Sequence, residues 1–137
     1  MNFLSINSNG FGRGDYKIPL IKQLIEKNKI DFMGLQETKR KTMTDMLLKA
    51  LWGSHDFEAV CSNSLGQGGG LLCIWNKHVF TKHQAIIRND CIIVTGTWLE
   101  TGEDICIINV YASQIPGNRV EQRNFLTAFL NNTNGKK

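Results

Sequence analysis

The chain has 137 residues, 42% hydrophobic and 20% charged, a balance that excludes disordered and fibrous polypeptides and fits one soluble domain spanning 1–137. Its net charge of +4 suits a polyanionic partner without demanding one; a core can be buried at this length, which lies near the lower end of what an elaborate α/β enzyme needs. The first ten residues lack the regions of a signal peptide and no later apolar run reaches membrane-spanning length, so an intracellular protein, nuclear or cytoplasmic, with no membrane partner is expected.

Alternation in Phe3-Leu4-Ser5-Ile6-Asn7 predicts a strand that breaks into the glycine-rich stretch Asn9-Gly10-Phe11-Gly12-Arg13-Gly14. Ile18, Ile21, Leu24 and Ile25 recur at helical spacing over Lys17–Asn28, with Asp15 available as a cap and Pro19 tolerable in the first turn. A short apolar run over 30–35 then ends in Gln36-Glu37-Thr38-Lys39. Met43, Met46, Leu47, Ala50 and Leu51 mark a second amphipathic helix. Strand, helix, strand, helix is the opening of a parallel α/β sheet.

From there the pattern changes. Segments 57–62, 70–75, 82–88, 91–99 and 104–111 read as strands separated by Gly, Asn, Asp or Thr-Gly turns, and strands that follow one another without helices imply antiparallel hairpins. A last helix over 119–131 places Val120, Phe125, Leu126, Phe129 and Leu130 on one face. Cys61, Cys73, Cys91 and Cys106 have no CxxC pair and sit in apolar stretches, so buried free thiols are expected rather than a zinc site or a disulfide framework.

Glu37 is the most suggestive chemical group, a carboxylate at the exit of a buried strand, although by position alone a surface carboxylate is the commoner outcome there. Asn7 and Asn9 leave the preceding strand, and two amides and a carboxylate converge if those strands are neighbours. Lys39, Arg40 and Lys41 form the one tight basic cluster, read equally as a phosphate contact or a solvated turn. The run from Gly66 through Gln67, Gly68 and Gly69 to Gly70 lacks a following Lys-Ser/Thr and reads as a hairpin turn, not a phosphate loop. His55, His78 and His83 have no ligand spacing and are expected at the surface. Tyr111 closes an apolar strand, and from the residues alone a packed aromatic is favoured.

Three separated segments carry a resemblance: Leu4-Ser5-Ile6-Asn7-Ser8-Asn9-Gly10, Asp31-Phe32-Met33-Gly34-Leu35-Gln36-Glu37-Thr38-Lys39 and Ile108-Asn109-Val110-Tyr111-Ala112. In that order, with the intervening Gly69-Gly70-Leu71, they resemble the endonuclease/exonuclease/phosphatase superfamily. The Asn-x-Asn-Gly of the first segment is most similar to the LINE retrotransposon endonucleases. The resemblance implies a four-layer α/β/β/α sandwich with mostly antiparallel mixed sheets, of which this chain supplies the N-terminal portion, its C-terminal half being absent.

By the same resemblance Glu37 corresponds to the carboxylate that holds a divalent metal, Mg²⁺ or Mn²⁺, while Asn7, Asn9 and Tyr111 correspond to catalytic groups and Lys39 and Asn109 to substrate contacts. Hard cations prefer such carboxylate oxygen together with waters and substrate phosphate. DNA is the implied partner. Where family members commonly read Tyr-Ala-Pro-Asn, this chain reads Tyr111-Ala112-Ser113-Gln114, and the family's later Gly-Asp-Phe-Asn and Ser-Asp-His segments have no counterpart. The expectation is half a site, with weak metal binding and little or no catalysis, and with exposed surfaces that self-associate non-specifically or take the missing C-terminal half as a partner. Two other readings stay open: a fragment of another phosphodiesterase or phosphatase of the superfamily, and a non-catalytic nucleic-acid-binding remnant.

Overall fold

A computed structural model describes residues 1–11, 15–63, 69–111 and 116–134. Ten elements follow in chain order: β1 (Phe3–Asn7), α1 (Lys17–Asn28), β2 (Phe32–Gln36), α2 (Asp45–Trp52), β3 (Phe57–Ser62), β4 (Leu71–Asn76), β5 (Phe80–Ile87), β6 (Cys91–Trp98), β7 (Glu103–Val110) and α3 (Pro116–Asn134). Gly12 to Gly14, Gly66 to Gly68 and Ala112 to Gln114, all weighed in the sequence, lie outside the described residues.

The strands form two sheets, ordered β1-β2-β4-β3 and β5-β6-β7. Only β1 and β2 are parallel, as their crossover through α1 requires; every other pairing is antiparallel. The expected hairpins hold for β3–β4, β5–β6 and β6–β7. They fail for β4 and β5, where only residues 77–79 intervene and the chain passes from one sheet to the other. Phe80 then packs edge-on to Trp75 at 5.6 Å and to Phe32 at 5.6 Å, so aromatic burial between the sheets replaces ladder pairing at that corner.

Alternating side chains divide the interior in two. One face of the first sheet, with Met33, Leu35, Leu72 and Ile74, packs against Ile21 and Ile25 of α1 and Leu48, Leu51 and Trp52 of α2. The other face, with Phe32, Val60, Leu71, Cys73 and Trp75, meets Phe80, Ile92 and Val94 of the second sheet. At the far end of that second sheet α3 docks: Gln122 donates to the Asp90 carbonyl at 3.0 Å, and the Arg88 guanidinium lies 4.0 Å from the centre of the Phe125 ring. The order is helices, sheet, sheet, helix, the α/β/β/α arrangement expected.

Several sequence expectations change in detail. On α2 the inward stripe is Leu47, Leu48, Leu51 and Trp52, whereas Met46 is 82% exposed and Ala50 is exposed. Thr44 caps the helix by accepting from the Leu47 N–H at 3.2 Å, which rotates the stripe away from Met46. On α3, Val120 and Leu130 are about half exposed, and the buried position is a polar one, Gln122. Among the cysteines all four are free, Cys73 and Cys91 are buried, and Cys106 is exposed because it points outward from β7. The N-cap of α1 is Tyr16, without a side-chain cap bond, rather than Asp15, whose carboxylate one residue earlier accepts from the Lys17 N–H at 2.8 Å.

Candidate functional site

Because β1 and β2 are parallel and in register from Phe3↔Phe32 to Asn7↔Gln36, both chains leave the first sheet at the same end. Antiparallel β4 enters at that end, with Leu71 opposite Gln36. Backbone bonds then extend the sheet into the loops: Ser8 N–H to the Gln36 carbonyl at 2.9 Å, Gly10 N–H to that of Glu37 at 2.7 Å, Thr38 N–H to that of Gly70 at 3.1 Å and Lys39 N–H to that of Gly69 at 2.9 Å. Tyr111 arrives from the other sheet just beyond β7.

This junction is conformationally unusual. Asn9, Glu37 and Lys39 all have positive φ near +50°, together with Gly10, Gly69 and Gly70. Left-handed backbone on side-chain-bearing residues costs energy and persists where surrounding bonds over-determine it, a pattern associated with functional sites. Here the over-determination is visible. The Lys17 ammonium donates to the carbonyls of Ser8 at 3.0 Å and Gly10 at 2.9 Å and reaches that of Asn9 at 3.5 Å. Ser8, buried, donates its hydroxyl toward the carbonyls of Gln36 and Glu37 at 3.0 and 3.1 Å.

Gly70 is needed for close approach. A Cβ there would meet Thr38 Oγ1 at 2.2 Å, and its φ is +92°. The described end of the glycine run is therefore the turn into β4 that the sequence suggests, pressed onto the strand that carries Glu37.

The structure brings most of the sequence-identified groups to this junction. The Lys39 ammonium donates to Asn9 Oδ1 at 3.2 Å, and the Asn9 N–H donates to Asn7 Oδ1 at 3.0 Å. Tyr111 is a packed aromatic, as favoured from the residues alone, and its hydroxyl also reaches the site. Desolvation first, and then the Glu37 carboxylate beside it, hold its phenol above the ordinary range. Glu37 and Tyr111 thus meet across the two sheets.

Asn109 is placed differently: it is 5% exposed and its amide is directed inward, bonded to Leu35, Leu72 and Gln36. In this placement both amide protons have internal acceptors, and Asn109 also lines the groove between β1 and β7. Of the basic cluster only Lys39 joins the site; Arg40 turns back to the Thr42 carbonyl at 3.5 Å. The three histidines are exposed, as anticipated. Sequence reasoning missed Lys17 and Gln122. Gln122 holds the Tyr111 carbonyl at 2.9 Å, and a lone polar residue on the apolar stripe of the last helix was the available signal.

Among the described residues no group of three or more His, Cys, Asp or Glu side chains is gathered as a metal cluster. Beside the site, a groove of about 300 Å³ runs between the edge strands β1 and β7, lined by Phe3, Ser5, Gln36, Ile107 and Val110 among others; neither Glu37 nor Tyr111 lines it. No helix among the described residues is long and apolar enough to cross a membrane.

No protein-family model matches the sequence, and no curated protein matches it. Solved structures do. The crystal structure of truncated Caenorhabditis elegans TDP2 superimposes with a TM-score of 0.71 at 16% identity, over 98% of this chain and 56% of that one. The Neisseria 3' phosphatase NExo bound to product DNA hairpin gives 0.64 at 16% identity, over 95% and 51%. The AP endonuclease of Leishmania major gives 0.61 at 16%, over 88% and 43%. The fold is the one these solved structures share. The chain spans about half the length of these solved structures.

A divalent metal is the cofactor that the sequence resemblance implies, and the donor chemistry here fits it in part. Glu37 supplies one half-buried carboxylate at the convergence of the strands, and hard cations take oxygen ligands of that kind. The neighbouring amide oxygens of Asn7 and Asn9 are engaged by the Asn9 N–H and by Lys39. One anionic ligand remains, enough to anchor a largely hydrated ion.

Proposed function

We propose that the chain is the N-terminal portion of a divalent-metal-dependent phosphodiesterase acting on DNA, of LINE retrotransposon type, whose catalytic set is not completed by these residues alone. The observation that carries this reading is the meeting of the Glu37 carboxylate with the Tyr111 hydroxyl between the ends of two sheets, beside Asn7, Asn9 and Lys39. An AP endonuclease and a phosphatase solved with product DNA among the similar folds favour DNA, and the Asn7-Ser8-Asn9-Gly10 motif favours the LINE type.

In this reading Glu37 holds Mg²⁺ or Mn²⁺, which when bound stabilises the charge that develops on the phosphate and its leaving oxygen. Tyr111 offers its hydroxyl to a phosphate oxygen once substrate competes with Glu37 for that proton. Lys39 adds positive charge and keeps Asn9 oriented, and Asn9 in turn engages Asn7 through its backbone. Hydrolysis also requires a water-activating base and a second phosphate-positioning group, so Glu37, Tyr111 and Lys39 by themselves are not expected to hold metal, water and phosphate together.

The test has two arms. Weak Mn²⁺ binding by the 137-residue chain, followed by electron paramagnetic resonance, is expected to disappear in Glu37→Gln; unchanged binding removes Glu37 from the metal site. With Mg²⁺ and supercoiled plasmid the chain is expected to show no nicking above the Glu37→Gln control. Robust nicking that Glu37→Gln abolishes would show that a complete site is already present.

A further inference from the structure

Asn109 lies two residues before Tyr111 on β7, and Leu35 lies two residues before Glu37 on β2. The Asn109 amide nitrogen donates to the Leu35 carbonyl at 3.2 Å and to the Leu72 carbonyl on β4 at 2.9 Å, with Cys73 Sγ at 3.7 Å. Its oxygen accepts from Gln36 Nε2 at 2.7 Å, and Gln36 also donates to Ser5 Oγ on β1 at 3.2 Å. One buried side chain therefore ties β7 to β2 and β4 and, through Gln36, to β1.

Among the described residues no backbone ladder joins the two sheets, and the core between them is the apolar packing of Phe32, Trp75, Phe80, Ile92 and Val94. Apolar contact is non-directional and tolerates small shifts, whereas hydrogen bonds weaken steeply with angle and distance. The sequence also leaves room for the bracket: Gly34 faces it, and a Cβ there would come within 3.3 Å of the Asn109 amide.

We propose that Asn109 is a positioning residue, its amide fixing the separation of the β2 and β7 ends so that the Glu37 carboxylate and the Tyr111 hydroxyl meet. Its functional meaning rests on the phosphodiesterase reading; its geometric content does not. Asn109 acts through the two strands and touches neither Glu37 nor substrate.

The chain has two tyrosines, and Tyr16 is exposed, so ¹³Cζ-tyrosine labelling yields two resonances, with Tyr16 as internal reference and Tyr111→Phe as the assignment. At fixed neutral pH, Glu37→Gln is expected to shift the Tyr111 resonance because it removes the carboxylate charge beside the phenol. In an Asn109→Leu background that response should be lost, while in Val94→Ala, which loosens the same inter-sheet core without touching the bracket, it should persist. Gly34→Ala, which only presses on the amide, should give a partial loss and keeps the test informative if Asn109→Leu does not fold. A full Glu37→Gln response in folded Asn109→Leu or in Gly34→Ala overturns the proposal. Because the readout is the spacing of two side chains, it is independent of metal binding: loss of the metal result alone sinks the functional reading and leaves the bracket standing.

Discussion

Gly70→Ala is the sharpest probe of how the junction is built. The new methyl would need a left-handed backbone, costing about 1–2 kcal/mol for an L-residue, and would collide with Thr38 Oγ1 at 2.2 Å and press on the Lys39 nitrogen at 3.1 Å. Overpacking of that kind adds about 1–3 kcal/mol, giving a total of about 2–5 kcal/mol against a domain stability of roughly 5–15 kcal/mol. Gly69→Ala is the matched control: its φ is +79°, yet among the described residues nothing lies within 4 Å of its Cβ, so the backbone cost of about 1–2 kcal/mol is the one expected. Urea unfolding followed by tryptophan fluorescence measures both. Thr38→Ala removes the struck oxygen, which has no hydrogen-bond partner, and a double-mutant cycle should recover much of the Gly70→Ala penalty. Equal destabilisation by Gly69→Ala and Gly70→Ala, with no coupling to Thr38, would refute the close-approach argument.

Lys17→Met keeps the aliphatic stem but leaves the carbonyls of Ser8 and Gly10 without their ammonium; faster hydrogen exchange at the Gly10 amide, which donates to the Glu37 carbonyl, is the expected result, and wild-type protection there would show that the loop holds itself. Gln122→Leu strips the Tyr111 carbonyl of its side-chain donor inside the α3 contact and should cost about 1–3 kcal/mol in chemical unfolding; a neutral effect would mean that water replaces the amide. Burial pushes Cys73 up to about 12 and Cys91 up to about 11, from an ordinary value of 9.0, so both hold their protons more tightly folded than unfolded. The stability they contribute is present below the unfolded value and is lost as pH rises from about 9 toward 12. Unfolding free energy should therefore fall across that range, and fall less steeply in Cys73→Ala; a flat profile would exclude these thiols as the cause.

Much of the fold was legible because the segments that matter have clear periods. β1 alternates, α1 repeats at helical spacing, and the parallel pairing of β1 with β2 follows from the crossover between them. The α2 stripe was misjudged because Met43 and Met46 fit a helical face that the Thr44 cap excludes, since Met43 precedes the helix. The sheet switch at residues 77–79 was hidden because a short turn between two strands looks the same whether they pair or part. Glu37 and Tyr111 were found through motifs, but their contact depends on how two sheets face one another, which no local pattern encodes. Asn109 was assigned to substrate from its place in a motif, and no local pattern shows that its amide is bonded to Leu35, Leu72 and Gln36. Lys17 was not singled out, its acceptors being backbone carbonyls that carry no sequence signature.

The three-residue passage from β4 to β5 has a consequence for the order of assembly. Everything from β5 to β7 is a meander of neighbours in sequence, and the aromatic corner of Trp75 and Phe80 joins it to β4 across a very short loop closure. β1, by contrast, meets the rest of its sheet only by pairing with β2, about 29 positions away, and its loop depends on Lys17 and on the 36–39 turn. Local pairings cost less closure entropy and form sooner than distant ones. Pulse-labelled hydrogen exchange during refolding should thus protect β6 amides before those of Ile6 and Ser8. The strand bearing Asn7 and Asn9 would then be the last to dock, and the first to be released when the protein is stressed.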